Sequence, residues 1–238
     1  MNQQQKPVLV LQHLPDDGPA YLATWLAQQR ETMDLRDHGD AYPRDLSGHS
    51  ALAVLGGEMS ANDDLPALRR GEALILDAMD RGVPVIGHCL GGQLMARALG
   101  ARVGASRWPE IGWHRLDWAE QSGDWFGDAA QSDPEIFQWH GEAFELPHGA
   151  VWLAGNAACR NQAFAIGPHL AMQFHIELDL AKLKVWTTGH DPARHLRDGM
   201  PDAQIQSTVA IHERAAARLA AQQRVAATIY ARWLGNRR

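Results

Sequence analysis

The stretch that most constrains the fold of this chain changes directly from strand to helix at a cysteine. Pro84–Ile86 is apolar and predicts the end of a buried strand, and Leu90–Leu99 predicts a helix. Cys89 lies between them, inside the Gly-x-Cys-x-Gly pattern of residues 87–91. Flanking glycines remove side chains that would clash in so sharp a bend. The pattern predicts a nucleophile elbow, with the sulfur at a helix N-terminus that favours a thiolate; the alternative is a small buried cysteine.

A second pattern, further along the chain, offers the groups that a cysteine nucleophile needs. Leu170–Phe174 is apolar enough for a strand, and His175 and Glu177 follow it. Residues two apart in an extended segment point to the same side, so an imidazole and a carboxylate face one way. A thiol becomes nucleophilic at neutral pH with a base, and the base needs an orienting partner. Cys89, His175 and Glu177 are therefore candidates for a catalytic triad, although a lone His-x-Glu is more often an incidental surface pair.

Alternating strands and helices predict the fold class. Strands are expected at residues 8–11, 32–35, 51–55 and 83–86, and helices at 20–29, 65–81 and 90–99. This order predicts an α/β fold with an open, mainly parallel sheet and helices on both faces. Ligand sites in such sheets lie beyond the carboxyl ends of the strands. Gly56-Gly57, Cys89 and His175 all stand at predicted strand ends, so we expect one site there.

Residues 101–152 have a different character. Tryptophans alternate with glycines and polar residues there without helical periodicity, which predicts a small antiparallel insertion of short strands and loops. Phe137–His140 is expected to be a strand that leads toward the site. The tryptophans are expected mainly to pack between this insertion and the sheet.

The end of the chain predicts a helical extension. One helix is expected at residues 178–188, and a longer one from Pro201-Asp202 to Leu234. The apolar stripe of the longer helix is expected to include Ile205, Val209, Ala216, Leu219, Ile229 and Trp233. We divide the chain into a domain over residues 1–182 and a C-terminal extension over 183–238 that packs on the same domain. A dimer contact is the alternative role for the extension.

Four ordered stretches carry a resemblance to a known family. They are Leu55–Asp63, Gly87–Gln93, Phe137–Phe144 and Gln173–Glu177. With them, the sequence resembles the class I (triad-type) glutamine amidotransferases, particularly the stand-alone proteins similar to the glutaminase domain of guanosine monophosphate synthase. The resemblance implies the flavodoxin-like fold of that family. The family usually has proline between its His and Glu, where this chain has Ile176.

The resemblance also implies an activity and its residues. Glutamine would be hydrolysed at its side-chain amide through a γ-glutamyl thioester on Cys89, with release of glutamate and ammonia. His175 would act as the base and Glu177 would orient it, while backbone N–H groups at Gly57 and Leu90 would form the oxyanion hole. The residues expected to hold the substrate are Gly56, Gln93, His140, Gly141 and Glu142.

Charge and composition exclude several function classes. The formal charge is −6 and the pI is about 6.0, which opposes nucleic-acid binding. No apolar run has membrane-spanning length, and the N-terminus lacks the apolar core of a secretory signal. Two cysteines are too few for a disulfide framework, so we expect a cytoplasmic protein. No metal-binding motif or phosphate-binding loop occurs, and no cofactor or metal is expected.

The alternative functions differ in what happens to the ammonia. No synthetase domain is recognisable in these 238 residues, so a separate synthetase subunit would have to use the ammonia, or the protein would be a free-standing hydrolase. The same triad would also serve a hydrolase of other γ-glutamyl compounds. A third alternative is a catalytically silent binding module, and a homodimer stays open.

Overall fold

The strands form two sheets. The computed structural model describes residues 6–37, 42–128, 134–189, 191–196, 198–201 and 204–237. Its strands are β1 (Val8–Gln12), β2 (Met33–Asp37), β3 (Ala51–Val54), β4 (Val85–His88), β5 (Val103–His114), β6 (Asp117–Trp118), β7 (Ile136–Phe144), β8 (Val151–Gly155), β9 (Ala163–Ile166) and β10 (His169–Met172). Eight of them form one sheet in the order β2-β1-β3-β4-β10-β9-β8-β6, and β5 pairs with β7 in a second sheet. The pairs from β2 to β10 are parallel and those from β10 to β6 antiparallel, which confirms the open, mainly parallel sheet.

Helices cover both faces of the large sheet. They are α1 (Ala20–Gln28), α2 (Pro66–Asp80), α3 (Leu90–Ala98), α4 (Gly123–Phe126), α5 (Leu180–Gly189) and α6 (Thr208–Gly235). Because strand side chains alternate between faces, Val8 and Val10 join one hydrophobic core while Leu9 and Leu11 join another. The first core also holds α1, α4 and the end of α6, and the second holds α2 and α3. None of the helices in the described part of the chain has the length and apolarity to span a membrane.

The antiparallel insertion forms a ribbon of β5 and β7. Its apolar side chains meet α5 and the first half of α6 in a third core that contains Trp113 and Phe137. The two rings lie 5.0 Å apart in an edge-to-face arrangement. The insertion also contains a 3₁₀ turn at Glu120–Ser122 and the short α4, which the absence of helical periodicity did not predict. The ribbon thus places β7 beside the carboxyl ends of β4 and β10.

The last helix begins later than the sequence predicted. α6 starts at Thr208, where the Ser207 side chain caps the helix by accepting a hydrogen bond from the backbone N–H of Ala210. The preceding Gln206 is held on β5, since its side-chain amide bonds both the N–H and the carbonyl of Trp113. Ile205 is therefore a bridge partner of Ile111 rather than a helix residue. Asp202 lies outside the described residues.

The apolar stripe of α6 also differs in part. Leu219, Ile229 and Trp233 are buried as expected, whereas Val209 and Ala216 are exposed. Ile211 in the same first turn enters the third core, and Val209, two residues earlier, lies on the opposite side of the helix. The helix packs along the rest of the chain through Trp233, whose ring N–H donates to the Pro84 carbonyl just before β4. The division into residues 1–182 and 183–238 stays a prediction.

Candidate active site

Cys89 stands at the sharp turn between β4 and α3. Its backbone has φ 49° and ψ −108°, in the positive-φ region that is uncommon for a residue with a side chain. The Cys89 N–H donates to the Met172 carbonyl at 2.8 Å, which fixes the turn to the end of β10. This geometry is that of the predicted elbow, and the sulfur lies at the N-terminus of α3.

A side chain at any of the three glycines of the elbow would clash with neighbouring backbone. A Cβ on Gly91 would lie 2.1 Å from the Val54 carbonyl oxygen, and one on Gly92 would lie 2.5 Å from that of Met172. A Cβ on Gly87 would lie 2.6 Å from the backbone of Gly91. Real Cβ atoms do not approach backbone so closely, so the first turn of α3 packs directly on β3 and β10 because these side chains are missing.

His175 and Glu177 meet beside the elbow. Glu177 Oε1 accepts a hydrogen bond from His175 Nδ1 at 2.7 Å, and both side chains are buried. The Cys89 side chain lies close enough to the imidazole to contribute to its raised pKa. Since Nδ1 is occupied by Glu177, Nε2 is the ring nitrogen left for the sulfur. The side chains of Cys89, His175 and Glu177 therefore form one connected row.

The neighbouring charges shift the pKa values of His175 and Glu177 strongly. Burial lowers the pKa of His175, but the Glu177 carboxylate and the Cys89 side chain outweigh it and raise that pKa to about 10. Burial raises the pKa of Glu177, but His175, His88 and Lys182 outweigh it and hold that pKa far below its usual range. The arrangement therefore favours a protonated ring between a carboxylate and the sulfur.

Helix α5 supplies two more side chains to this row. Lys182 Nζ lies 2.8 Å from Asp17 Oδ1 and 3.7 Å from Glu177 Oε1, and it is buried. The ring N–H of Trp186 donates to the same Asp17 oxygen at 3.0 Å. The Trp186 ring packs edge-on against His175, with 4.6 Å between centroids. Helix α5 thus supports both the imidazole and the carboxylate.

A second buried histidine precedes the nucleophile. His88 Nε2 lies 3.2 Å from the hydroxyl of Tyr230 on α6. Burial lowers the pKa of His88 to about 4, although the Glu177 charge acts in the opposite direction. Burial also raises the pKa of Tyr230 well above its usual value. Helix α6 therefore contacts the elbow through a neutral hydrogen bond.

The glycine pair after β3 lies against the same centre. A Cβ on Gly56 would lie 3.0 Å from His175 Cε1, and one on Gly57 would lie 2.9 Å from Leu90 Cδ2. Gly57 and Leu90, the residues expected to supply the oxyanion hole, are therefore neighbours next to Cys89. Their roles stay a prediction.

Four of the five predicted substrate residues line a cavity of about 600 Å³ that opens onto Cys89 and His175, and Gly56 is not part of this lining. Gln93, His140, Gly141 and Glu142 all line it. Other lining side chains are Leu14, Asp16, Asp17, Glu58, Met59, Ser60, Ile111, Trp139, Val185, Trp186 and His195. No Lys or Arg occurs among the described residues of this lining.

The four substrate residues differ in what they present. Gln93 Nε2 donates to the Glu142 carbonyl at 3.1 Å, and the Glu142 carboxylate accepts a hydrogen bond from the Ser60 hydroxyl. The His140 ring is buried, with Nδ1 on the Glu142 carbonyl and Nε2 3.3 Å from Glu110. Gly141 offers only its backbone. Gln173 Nε2 also lies 3.6 Å from the Cys89 sulfur.

One group of metal-ligand side chains lies close together in the described part of the chain. It consists of Glu110, His140 and Cys159, all buried. Both oxygens of the Glu110 carboxylate already accept hydrogen bonds at 2.7 Å, from the side-chain amides of Asn156 and Gln162. Burial, reinforced by Glu110, raises the pKa of Cys159 to about 12, so this thiol stays protonated. A metal ion at this group would have to displace the amide donors from the Glu110 carboxylate.

Fold and site together define the class of this protein. The profile of the family described as "Glutamine amidotransferase class-I" matches residues 34–184. That range is more than half of the chain, and the chain belongs to this family. The chain is also similar to the crystal structure of a glutamine amidotransferase from Methylobacillus flagellatus, with a TM-score of 0.91 and 35% identity over 98% of this chain and 96% of that one.

Curated relatives are similar over a smaller range. One is a subunit of the glutamine-hydrolyzing GMP synthase of Thermoplasma acidophilum, 29% identical over 57% of this chain and 66% of the relative. Another is the glutamine-hydrolyzing GMP synthase of Oleidesulfovibrio alaskensis, 30% identical over 54% of this chain and 25% of the relative. The chain therefore spans less than two thirds of the length of these relatives.

Sequence reasoning missed several residues of the site. Lys182 and Trp186 lie in a helix whose pattern indicated only packing, and Asp17 lies in a turn. Glu110 had a local signal, because it is the single charged residue in the otherwise uncharged stretch Trp108–Trp113. A carboxylate inside such a run predicts a buried, hydrogen-bonded charge.

Proposed function

We propose that this protein hydrolyses the side-chain amide of glutamine through a γ-glutamyl thioester on Cys89. His175 is the proton carrier and Glu177 orients it. The observation that carries the proposal is that the three side chains lie together, with Nδ1 of His175 bound to Glu177 at 2.7 Å and the Cys89 side chain close enough to the ring to raise its pKa. This is the arrangement that activates a thiol for attack on an amide.

The chemistry proceeds in two halves. Cys89 Sγ attacks the amide carbon, and the negative charge that develops on the carbonyl oxygen is stabilised by the backbone N–H groups of Gly57 and Leu90. The carbon–nitrogen bond breaks as His175 gives its Nε2 proton to the departing nitrogen, which leaves as ammonia. Water, deprotonated by the same ring, then attacks the thioester. The carbon–sulfur bond breaks, and glutamate is released.

The surroundings of His175 support its role. A pKa of about 10 keeps the ring protonated at neutral pH, so that His175 can give a proton to the departing nitrogen. The edge-on contact with Trp186 restricts rotation of the ring, and the Glu177 hydrogen bond fixes which nitrogen faces the sulfur. These features match the requirement that the base be held in one orientation.

Covalent labelling tests the nucleophile. The protein is treated with a diazo-ketone analogue of glutamine and analysed by peptide mass spectrometry. We expect a single adduct on Cys89 and none in Cys89→Ala. Cys159 is an internal control, because it is buried and its raised pKa of about 12 keeps the thiol protonated. Binding of the analogue without any adduct would instead indicate a catalytically silent binding module.

The cavity favours one alternative substrate class. Its volume of about 600 Å³ is in the range that holds ligands larger than an amino acid. Trp139, Trp186 and Val185 give it an apolar wall, suited to a leaving group larger than ammonia. A γ-glutamyl hydrolase would turn over γ-glutamyl amines or peptides faster than glutamine. Comparison of kcat/KM for glutamine with that for a panel of γ-glutamyl compounds decides between the two functions.

The use of the ammonia depends on a partner. Relatives in the comparison are named GMP synthases, which suggests that a separate synthetase subunit receives ammonia from this chain. Addition of such a subunit would then stimulate glutamine hydrolysis. Equal rates with and without it would favour a free-standing hydrolase.

A further inference from the structure

The carboxylate of Glu110 is fully buried and joins several parts of the fold. Glu110 lies on β5 opposite His140 on β7. Its oxygens accept hydrogen bonds from the side-chain amides of Asn156 and Gln162 at 2.7 Å and of Gln204 at 3.3 Å. Burial raises the pKa of Glu110, but His140 and Asn156 outweigh it, so the carboxylate stays ionised. A buried charge with such a set of donors is held in one position.

The donor on one side cannot turn around. The Asn156 side-chain oxygen accepts hydrogen bonds from the backbone N–H groups of Ala158 and Cys159 at 3.0 and 2.9 Å. Rotation of this amide would break both bonds, so its NH₂ group must face Glu110. The carboxylate is therefore oriented from outside the substrate cavity.

On the other side, His140 connects Glu110 to the cavity wall. His140 Nε2 lies 3.3 Å from Glu110 Oε2, and Nδ1 lies 3.1 Å from the Glu142 carbonyl oxygen. Gln93 Nε2 donates to that same carbonyl at 3.1 Å. Two side chains thus hold one backbone oxygen of the wall.

The neighbouring peptide is held in a similar way. The hydroxyl of Ser106 donates to the Gly141 carbonyl at 3.0 Å. In a trans peptide the N–H points opposite to the C=O, so the N–H groups of Glu142 and Ala143 face away from these bonded carbonyls. Fixing the two carbonyls therefore fixes the direction of both N–H groups; of these two residues Glu142 lines the cavity, whereas Ala143 pairs with Gly104 on β5.

We propose that Glu110 is a positioning residue for substrate binding, acting through His140 on the Gly141–Glu142 segment of the cavity wall. His140 then serves the substrate indirectly, because both of its ring nitrogens face protein atoms. The inference rests on the proposed function, since it requires that this cavity bind the γ-glutamyl group. It concerns binding and not the chemical step, because the contacts of Glu110 and His140 lead to the Glu142 carbonyl of the cavity wall and not directly to the Cys89, His175 or Glu177 side chain.

Steady-state kinetics on variants of Glu110 test the proposal. Glu110→Ala removes the carboxylate that lies 3.3 Å from His140 Nε2, and we expect KM for glutamine to rise about tenfold while kcat stays within about threefold. Glu110→Gln should restore most of the affinity. Its carbonyl can face the fixed Asn156 amide, while its NH₂ group donates to His140 Nε2 and holds the ring. This rescue would not follow if only the charge of Glu110 mattered.

Two further variants complete the set. His140→Leu leaves the three amides on Glu110 and should give the same rise in KM, so it replaces Glu110→Ala if that variant does not fold. Gln204→Ala is the matched control, because Gln204 also contacts Glu110 but lies off the path to Glu142. We expect its KM to stay within about twofold of the parent value. An unchanged KM in folded Glu110→Ala or His140→Leu, or an equal rise in Gln204→Ala, would overturn the proposal.

Labelling separates this proposal from the proposed function. In Glu110→Ala the diazo-ketone glutamine analogue should label Cys89 more slowly, while iodoacetamide, which needs only the thiolate, should label it at the parent rate. A parent protein that neither hydrolyses nor reacts with the analogue would refute the proposed function itself. A reactive parent with equally reactive variants would refute only the role of Glu110.

Discussion

Lys182 Nζ lies 3.7 Å from Oε1 of Glu177, the same oxygen that accepts the hydrogen bond from His175. The Lys182 side chain is only 5% exposed, and its ammonium group also bonds Asp17 and the Gly18 carbonyl. A buried cation and the imidazole thus lie near the same oxygen of this carboxylate. It helps keep Glu177 ionised, and it ties helix α5 to the turn after β1.

Removing this cation should destabilise the fold. In Lys182→Met the buried Asp17 carboxylate loses its counter-charge, and we expect a loss of about 3 kcal/mol in the free energy of unfolding. Urea denaturation monitored by tryptophan fluorescence measures it. The double variant Asp17→Asn, Lys182→Met should lose clearly less than the sum of the single variants. Additive losses would show that the two side chains do not act as a pair.

Glu177→Gln tests the orientation of His175. Glutamine can occupy the same space, but it supplies no charge and can present an NH₂ group to Nδ1. We expect kcat for glutamine hydrolysis to fall about 10²- to 10⁴-fold with little change in KM. A variant that retains more than a tenth of the parent kcat would contradict an orienting role for this carboxylate.

The His175–Glu177 pair should make stability sensitive to alkali. The pKa of His175 is raised from 6.5 to about 10 in the folded protein, so the folded state holds a proton that the unfolded state has released. The resulting stabilisation is complete below pH 6.5 and is lost as the pH rises through 10. Urea denaturation at pH 7, 8.5 and 10 should show falling stability. The decline should be weaker in Glu177→Gln, and an equal decline in both proteins would argue against this origin.

His88 should give a separate loss of stability in acid. Folding lowers the pKa of His88 from 6.5 to about 4. As the pH falls, the unfolded chain therefore binds this proton at a higher pH than the folded chain does. Stability should therefore fall by about 2 kcal/mol between pH 6.5 and 4.5. His88→Gln keeps a polar atom near the Tyr230 hydroxyl but does not titrate. A variant that loses as much stability as the parent over this range would refute the assignment.

The elbow should not tolerate a methyl group on Gly91. A Cβ there would lie 2.1 Å from the Val54 carbonyl oxygen, so α3 would have to move off β3. We expect Gly91→Ala to lose about 3 kcal/mol or more and all activity. Gly104→Ala is the control, because a Cβ at this position of β5 meets no atom within 4 Å. Thermal denaturation should show no loss for Gly104→Ala.

Local patterns carried much of this structure. The alternation of buried runs and helices predicted the sheet and its covering helices, and the glycines around Cys89 predicted the elbow. Both depend on interactions between near neighbours in sequence. The predicted strand ends also brought Gly57, Cys89 and His175 to one edge of the sheet, because the carboxyl ends of parallel strands meet there.

Other features depend on contacts that no local pattern encodes. α6 begins at Thr208 because Gln206 is bound to Trp113, far away in sequence. Lys182 and Asp17 become partners only when α5 folds over the turn after β1. The predicted helical stripe also gave Val209 an inward direction, but α6 meets the third core through Ile211 and Ala215 on another side of the helix. In all three cases, contacts between residues far apart in the sequence determine the local structure.

The backbone at Cys89 has a consequence for variants without the thiol. At φ 49° and ψ −108° a side chain is strained by about 1–3 kcal/mol, whereas glycine adopts such angles freely. We therefore expect Cys89→Gly to be more stable than the parent protein and inactive. Backbone strain of this kind clusters at functional sites, where the surrounding structure holds a residue in a geometry that it would not adopt by itself.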